Sequence, residues 1–228
     1  MIIGIYSDLH SNLAALHSMV STFGGIDLWL CLGDSVGIFP DVNEVITWQR
    51  NEAVIAVAGD HEKHLLRGES IANSYTGTQA IKLQRQSITP DNFNYLAGLS
   101  DSLDLTVGGL KIHISHYVSN EQKDVHHKYF LDQTQIDKLY GEYDFKFFGH
   151  THLPTTIFTK ETIAINPGSA GFPIDITRHP SAMRLDTKTR KFDLIRFNFD
   201  KILIVRNIVK NGYNPKLIEY LNNGNRWK

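Results

Sequence analysis

Three apolar runs of this chain each stop at an aspartate. Residues 1–7 (MIIGIYS) lead into Asp8, residues 28–32 (LWLCL) into Gly33-Asp34, and residues 53–58 (AVIAVA) into Gly59-Asp60. Between the runs lie two amphipathic stretches. Leu13, Leu16, Met19 and Val20 recur at helical spacing over residues 11–23, with Ser11 or Asn12 placed to cap, and Val45, Ile46 and Trp48 recur after Asp41. Strand, helix, strand, helix, strand is the pattern of parallel pairing, because parallel neighbours need a crossover. In such sheets a ligand sits beyond the carboxyl ends of the strands, where Asp8, Asp34 and Asp60 fall.

A second set of polar residues obeys the same rule. Residues 103–107 and 110–115 flank Gly108-Gly109, a two-residue hairpin signal, and His116 follows directly. Residues 145–148 predict a strand that ends at Gly149-His150-Thr151-His152. Further strands are predicted over 155–158, 163–165, 182–185 and 192–197, as a meander or hairpin series. Residues 62–100 read as mostly helical, with Pro90-Asp91 opening one short helix. Residues 117–143 read as a polar loop carrying Tyr117, His126, His127 and Tyr129, followed by a helix near 133–140, and residues 200–228 as a tail of two short helices around 212–215. The expected fold class is α/β: a four-layer α-β-β-α sandwich of two mixed β-sheets packed face to face with helices outside. All 228 residues are expected to form one domain, since no linker or repeat divides them and 42% are hydrophobic.

Charge and cysteine content narrow the function classes. Lys+Arg 23 against Asp+Glu 24 gives a net charge of -1 with no basic block, so stable nucleic-acid binding is not expected. The single cysteine, Cys31, lies inside an apolar run and reads as core. The amino terminus lacks a basic leader and no apolar stretch approaches bilayer length, so a cytoplasmic protein without a membrane partner is expected. The sequence leaves the oligomeric state open.

Carboxylates and imidazoles are the side chains that bind hard-to-borderline divalent metals. Asp8-Leu9-His10, Gly33-Asp34, Gly59-Asp60-His61-Glu62, His116 and Gly149-His150-Thr151-His152 all stand at the exits of predicted strands. That distribution suggests one assembled metal centre and a metal-dependent hydrolase. In order and spacing these motifs resemble those of the calcineurin-like metallophosphoesterases, in particular the small bacterial and archaeal phosphodiesterase-like or diadenosine-tetraphosphatase-like branch. LGDSVGIFPDVNEVITWQRNEAVIAVAGDHE, INPGSAGFPID and NGYNPKLIEYLNNG extend the resemblance over essentially the whole chain.

The resemblance implies a site with two divalent ions. Asp8, His10 and His152 would hold one, and Asp60, His116 and His150 the other, with Asp34 shared between them. Mn is the first expectation, with Fe, Zn, Ni, Co or Mg compatible with such ligands. Two ions ~3.5–4 Å apart activate water as a hydroxide nucleophile and bind the phosphoryl oxygens. His61 is expected as general acid, a role worth roughly 10²–10⁴-fold in rate, with Glu62 orienting its imidazole. Asn12 is expected either to touch the substrate phosphate or to cap the helix that follows. Tyr117 is expected to line the substrate side, and Asn166 lies in a tight turn over 166–169 expected to be structural first and a phosphate contact second. Residues 62–100 and 117–143 would set substrate choice.

One position departs from the family pattern. Asn is usual where this chain has Asp60, and a third carboxylate lowers the formal charge of the two-ion centre to roughly +1 instead of +2. Tighter metal binding and a weaker pull on a dianionic phosphate are expected, with an altered or less active enzyme as the other reading of this residue. The activity implied is hydrolysis of small phosphodiesters, phosphomonoesters or nucleotides. A dinucleoside polyphosphate hydrolase is the alternative within this chemistry. A binding scaffold with a degraded metal site, as in the retromer subunit of the same fold, is the alternative from another class.

Overall fold

The structure, a computed structural model, describes residues 1–72, 74–118 and 142–223. The alternation of apolar and amphipathic stretches folds as the sequence requires. Strands β1 (Ile2–Tyr6), β2 (Leu28–Cys31) and β3 (Ile55–Ala56) pair in parallel, joined by helices α1 (Leu13–Phe23) and α2 (Val42–Asn51). Helices α3 (Asp60–Arg67), α4 (Tyr75–Ser87) and α5 (Pro90–Ala97) follow. Then come β4 (Ser102–Val107), β5 (Leu110–Ser115), β6 (Phe145–Phe147), β7 (Thr155–Phe158), β8 (Ile163–Asn166), β9 (Ser181–Asp186) and β10 (Phe192–Arg196). The tail forms α6 (Lys201–Lys210) and α7 (Lys216–Asn223).

The strands make two mixed five-stranded sheets, ordered β10-β9-β1-β2-β3 and β4-β5-β6-β8-β7. The expected hairpin series is present in β4–β5, β7–β8 and β9–β10, but the strands do not run on as one meander. β5, β6 and β8 run parallel, and β9 leaves the second sheet to pair antiparallel with β1, Ile3 opposite Leu185 and Ile5 opposite Met183. The reason is burial on both faces. Met183 and Leu185 point between the sheets while Ala182 joins the outer cluster, so β9 needs a central position that a hairpin edge does not offer.

Period-two alternation builds the core. Ile3 and Ile5 of β1 and Leu30 of β2 face Ile112 and Ile114 of β5 and Phe145 and Phe147 of β6 across the sandwich. On the outer face of the first sheet, Leu16, Met19 and Phe23 of α1 and Val45 and Ile46 of α2 pack around Trp29. Caps fit the sequence: Asn12 Oδ1 accepts the Ala15 N–H at 3.0 Å, Thr89 precedes Pro90 at the start of α5, and Gly68 ends α3 at φ 70°. Residues 119–141, on which the predicted helix near 133–140 and His126, His127 and Tyr129 fall, lie outside the described residues. Among the described residues, no helix is long and apolar enough to cross a membrane.

Candidate metal centre

The loops leaving the parallel strands stay paired beyond the sheet, and this brings the motifs together. Past β1 and β2, Asp8 N–H donates to Gly33 C=O at 3.0 Å, His10 N–H to Asp34 C=O at 2.9 Å and Ser11 N–H to Ser35 C=O at 2.8 Å. Past β5 and β6, Gly149 N–H donates to His116 C=O at 3.1 Å. The turn after β8 closes the ring, with Ala170 N–H on Ser7 C=O at 2.9 Å and Gly171 N–H on Asp8 C=O at 3.1 Å. Five of the site residues pay for this with left-handed backbone: Asp8 (φ 55°), His10 (51°), Asp34 (54°), His150 (67°) and His152 (58°). Each such residue costs on the order of 1–3 kcal/mol, and strain of this kind gathers where a site demands it.

All seven residues expected to hold metal converge. Asp8, His10 and His152 form one group and Asp60, His116 and His150 another, the donor atoms within each group lying within 4.8 Å of one another. In the first group His10 Nε2 lies 3.1 Å from His152 Nε2, and Asp8 Oδ1 3.3 Å from His152 Nε2. In the second, Asp60 Oδ1 lies 3.1 Å from His116 Nε2 and 3.3 Å from His150 Nδ1. Asp34 Oδ2 stands between the groups, 4.0 Å from His10 Nε2 and 3.4 Å from His116 Nε2. His17 is exposed on α1, away from the cluster.

Backbone carbonyls set the imidazole tautomers. Nδ1–H of His10 donates to Val36 C=O at 3.2 Å, that of His116 to Leu32 C=O at 2.8 Å and that of His152 to Phe172 C=O at 2.7 Å. Each Nε2 lone pair is thereby turned inward, the usual second bond of a metal-ligating histidine. Both carboxylate oxygens of Asp8 are buried and receive no hydrogen bond. A buried carboxylate left so bare is costly unless a cation completes it. The residues present therefore fit divalent ions.

The charges are complementary. Burial alone would raise the pKa of Asp8, but the imidazoles of His152, His116 and His10 outweigh it and hold the carboxyl below the ordinary range. Burial and then His61 push His10 down to about 3, leaving it neutral. Burial opposes protonation of His116, yet Asp34, Asp60 and Asp8 raise its pKa well above the ordinary value.

His61 lies inside this cluster. Its backbone N–H donates to Asp34 Oδ1 at 3.0 Å and its ring stands edge-on to His10, with centroids 4.5 Å apart. Gly37 makes room for it. A Cβ at Gly37 would lie 1.9 Å from His61 Nδ1, and its φ of 88° also disfavours other residues. Gly37→Ala is expected to displace the His61 ring, as its NMR ring resonances would show; unchanged resonances would sink this account.

Several supporting roles differ from expectation. Glu62 does not orient the His61 ring. Its carboxylate accepts the N–H groups of Gly59 (2.8 Å), Asp34 (2.9 Å), Ser35 (2.7 Å) and Val36 (3.3 Å), anchoring the loop that carries Asp34. Asn12 takes the capping alternative, and its amide also donates to Gly171 C=O at 2.9 Å. Asn166 is buried and donates to Gly149 C=O at 2.7 Å and Thr151 Oγ at 3.0 Å, which ties it to the His150–His152 loop, the structural role given first to its turn. Tyr117 packs on the rings of His116 (5.0 Å) and His150 (4.8 Å). Burial and then the carboxylates of Asp60 and Asp34 raise its hydroxyl pKa, keeping it a proton donor to Asp60.

One residue the sequence reading missed is Gln84 of α4. It accepts the Gly37 N–H at 2.7 Å and donates to Phe39 C=O at 2.5 Å and Ser11 Oγ at 3.2 Å, clamping two site loops. Its signal was a polar residue on the apolar stripe of Ala80 and Ile81.

Residues 1–190 match the family model of the calcineurin-like phosphoesterase superfamily domain. The uncharacterized protein MJ0912 of Methanocaldococcus jannaschii is 30% identical over 228 residues, a span of 92% of this chain and 92% of that protein. The solved structure of hypothetical protein PH1004 from Pyrococcus horikoshii OT3 aligns with a TM-score of 0.83 at 20% identity, covering 96% of this chain and 97% of its own. A metallophosphoesterase from Sphaerobacter thermophilus aligns with a TM-score of 0.77 at 21% identity, covering 97% and 98%. At these identities the two structures speak for the fold.

Proposed function

The chain belongs to the calcineurin-like phosphoesterase superfamily, and from that premise we propose that it is a two-metal phosphoesterase acting on small phosphodiesters, phosphomonoesters or nucleotides. The observation that carries this reading is the donor set: two Asp-His-His groups with Asp34 between them. When bound, two divalent ions supply Lewis-acid polarisation of the phosphoryl oxygens and an acidified water for in-line attack, with Mn the first candidate and Fe, Zn, Ni, Co or Mg matching the same mixed donors.

The chain's own residues do the rest. Asp8, His10 and His152 would hold one ion and Asp60, His116 and His150 the other, with Asp34 placed between the two groups. The backbone carbonyls behind His10, His116 and His152 keep their lone pairs aimed inward. His61, whose backbone N–H donates to Asp34 and whose ring packs on His10, gives a proton to the leaving oxygen. His61→Ala is expected to lower kcat by roughly 10²–10⁴-fold on an alkyl ester, and less on a nitrophenyl ester whose leaving group needs no proton. Equal losses on both substrates would remove His61 from this role.

Asp60 tunes the centre by its extra charge. Asp60→Asn is expected to loosen metal retention and to raise turnover of a monoester relative to a diester; identical kinetics and metal affinity would end that idea. The reading as a whole is tested on metal-free protein resupplied with each ion. The panel is bis-nitrophenyl phosphate, nitrophenyl phosphate, cyclic nucleotides and dinucleoside polyphosphates. Turnover that depends on the added ion supports the reading, and preference for the last substrate selects the dinucleoside polyphosphate alternative. Absence of hydrolysis with every ion in excess overturns it in favour of a binding scaffold.

A further inference from the structure

Residues beyond 190, past the end of the family match, build β10, α6 and α7. The helical pair is firmly docked. Asp200 Oδ1 caps α6 by accepting the Ile202 N–H at 2.8 Å, the Lys201 ammonium donates to Leu221 C=O at 2.7 Å, and the Asn207 amide donates to Asp41 Oδ1 at 2.7 Å. Ile204, Ile208 and Leu217 are buried against Phe39, Ala80 and Phe172.

One side chain of this pair reaches the metal centre through a single intermediary. The Tyr220 ring stacks on Phe172, with centroids 4.2 Å apart and planes at 29°. Its hydroxyl donates to the carbonyl of Pro173. Phe172 in turn stands edge-on to His10 at 6.1 Å and to His152 at 5.9 Å, and its carbonyl accepts Nδ1–H of His152 at 2.7 Å. Tyr220 thus grips both the ring and the next carbonyl of the segment that orients His152. The second group is held differently: His116 donates Nδ1–H to the carbonyl of Leu32, just past β2.

We propose that Tyr220 is a positioning residue for the Asp8–His10–His152 ion site, so that the C-terminal helical pair controls one of the two ion sites and leaves the other alone. The inference rests on the two-metal reading above. Without the stack and the Pro173 bond, the 172–173 peptide can turn and His152 loses the partner that presents its Nε2. Outer-shell losses of this kind cost about 10–100-fold in metal affinity.

The test is calorimetric titration of metal-free protein with Mn²⁺ alone, with no substrate present. The parent chain is expected to show two binding events. Tyr220→Ala should weaken one of them about 10–100-fold, leaving the other within about twofold, and Tyr220→Phe, which keeps the stack and loses the Pro173 bond, should weaken the same event by less. His116→Ala should remove the other event and so identify which is which. Both events unchanged in Tyr220→Ala, or both weakened alike, overturn the proposal. Should Tyr220→Ala fail to fold, Tyr220→Phe decides alone: one event weakened supports it, none or both overturns it. A parent chain that takes up no ion defeats the two-metal reading itself, and does so before any variant is made.

Discussion

Asp34→Asn is expected to lower the proposed metal-dependent phosphoester hydrolysis by on the order of 10²–10³-fold, the scale of losing one charge-stabilising group from an enzyme site. Asp34 stands between the two donor groups, with Oδ2 at 4.0 Å from His10 Nε2 and 3.4 Å from His116 Nε2. Two dications held side by side repel, and a shared carboxylate is what offsets that repulsion. Asn keeps the shape of the residue and an acceptor for the His61 N–H at 3.0 Å, but removes the charge. The expected readout is fewer than two ions per chain by elemental analysis at a free-ion level that saturates the parent. Metal-free Asp34→Asn is expected to melt lower than the metal-free parent at neutral pH: burial and the charge of Asp60 oppose ionisation of Asp34, but the imidazoles of His116 and His61 outweigh them and hold its carboxyl below the ordinary range, so the ionised form stabilises the fold. Two ions retained with full turnover would show that Asp34 does not bridge.

The convergence of the candidate ligands was legible because strand exits leave a mark on sequence. Asp8, Asp34 and Asp60 each end an apolar run, and the parallel order of β1, β2 and β3 then stacks those ends at one edge. His116 and His150 follow by the same logic from β5 and β6, once those strands are seen to run parallel too. The same alternation could not say that β9 belongs beside β1. An apolar run reports that a strand is buried, not which neighbour buries it, and the antiparallel partner of Ile3 lies far along the chain at Leu185.

Side-chain roles around the ligands were less legible, for a different reason. Glu62, Asn12 and Asn166 all bond to backbone groups, and a sequence carries no record of where a distant N–H or C=O points. Glu62 next to His61 invites a side-chain pairing, whereas the structure turns it to four amides, three of them from residues 34–36. Gln84 is a similar case, its partners Gly37 and Phe39 lying in a loop that only the fold brings to α4. The left-handed backbone at Asp8, His10 and Asp34 is equally silent in sequence, although Asp and His are among the residues that tolerate it.

Replacing Glu62 is expected to have the largest effect on stability, and the choice of substitute matters. The carboxylate is fully buried and accepts four backbone N–H groups at 2.7 to 3.3 Å. Burial and the charge of Asp34 push its pKa up, while those donors favour the ionised form. Glu62→Ala leaves the donors unpaired, each at about 1–3 kcal/mol before water enters the space, for a net loss of roughly 3–5 kcal/mol. Glu62→Gln is nearly as costly despite its matching shape. One oxygen of the amide serves two of the N–H groups, but its NH₂ then meets the other two, donor against donor. For a chain of this size the loss corresponds to a melting temperature lower by roughly 6–20 °C. Thermal melts of the metal-free proteins read this directly, free of any contribution from bound ions. A Gln variant melting within about 2 °C of the parent would mean that the 34–36 loop is held by its neighbours rather than by this carboxylate. Asp34 would then owe its position to the paired loop past β1, where His10 N–H donates to Asp34 C=O at 2.9 Å.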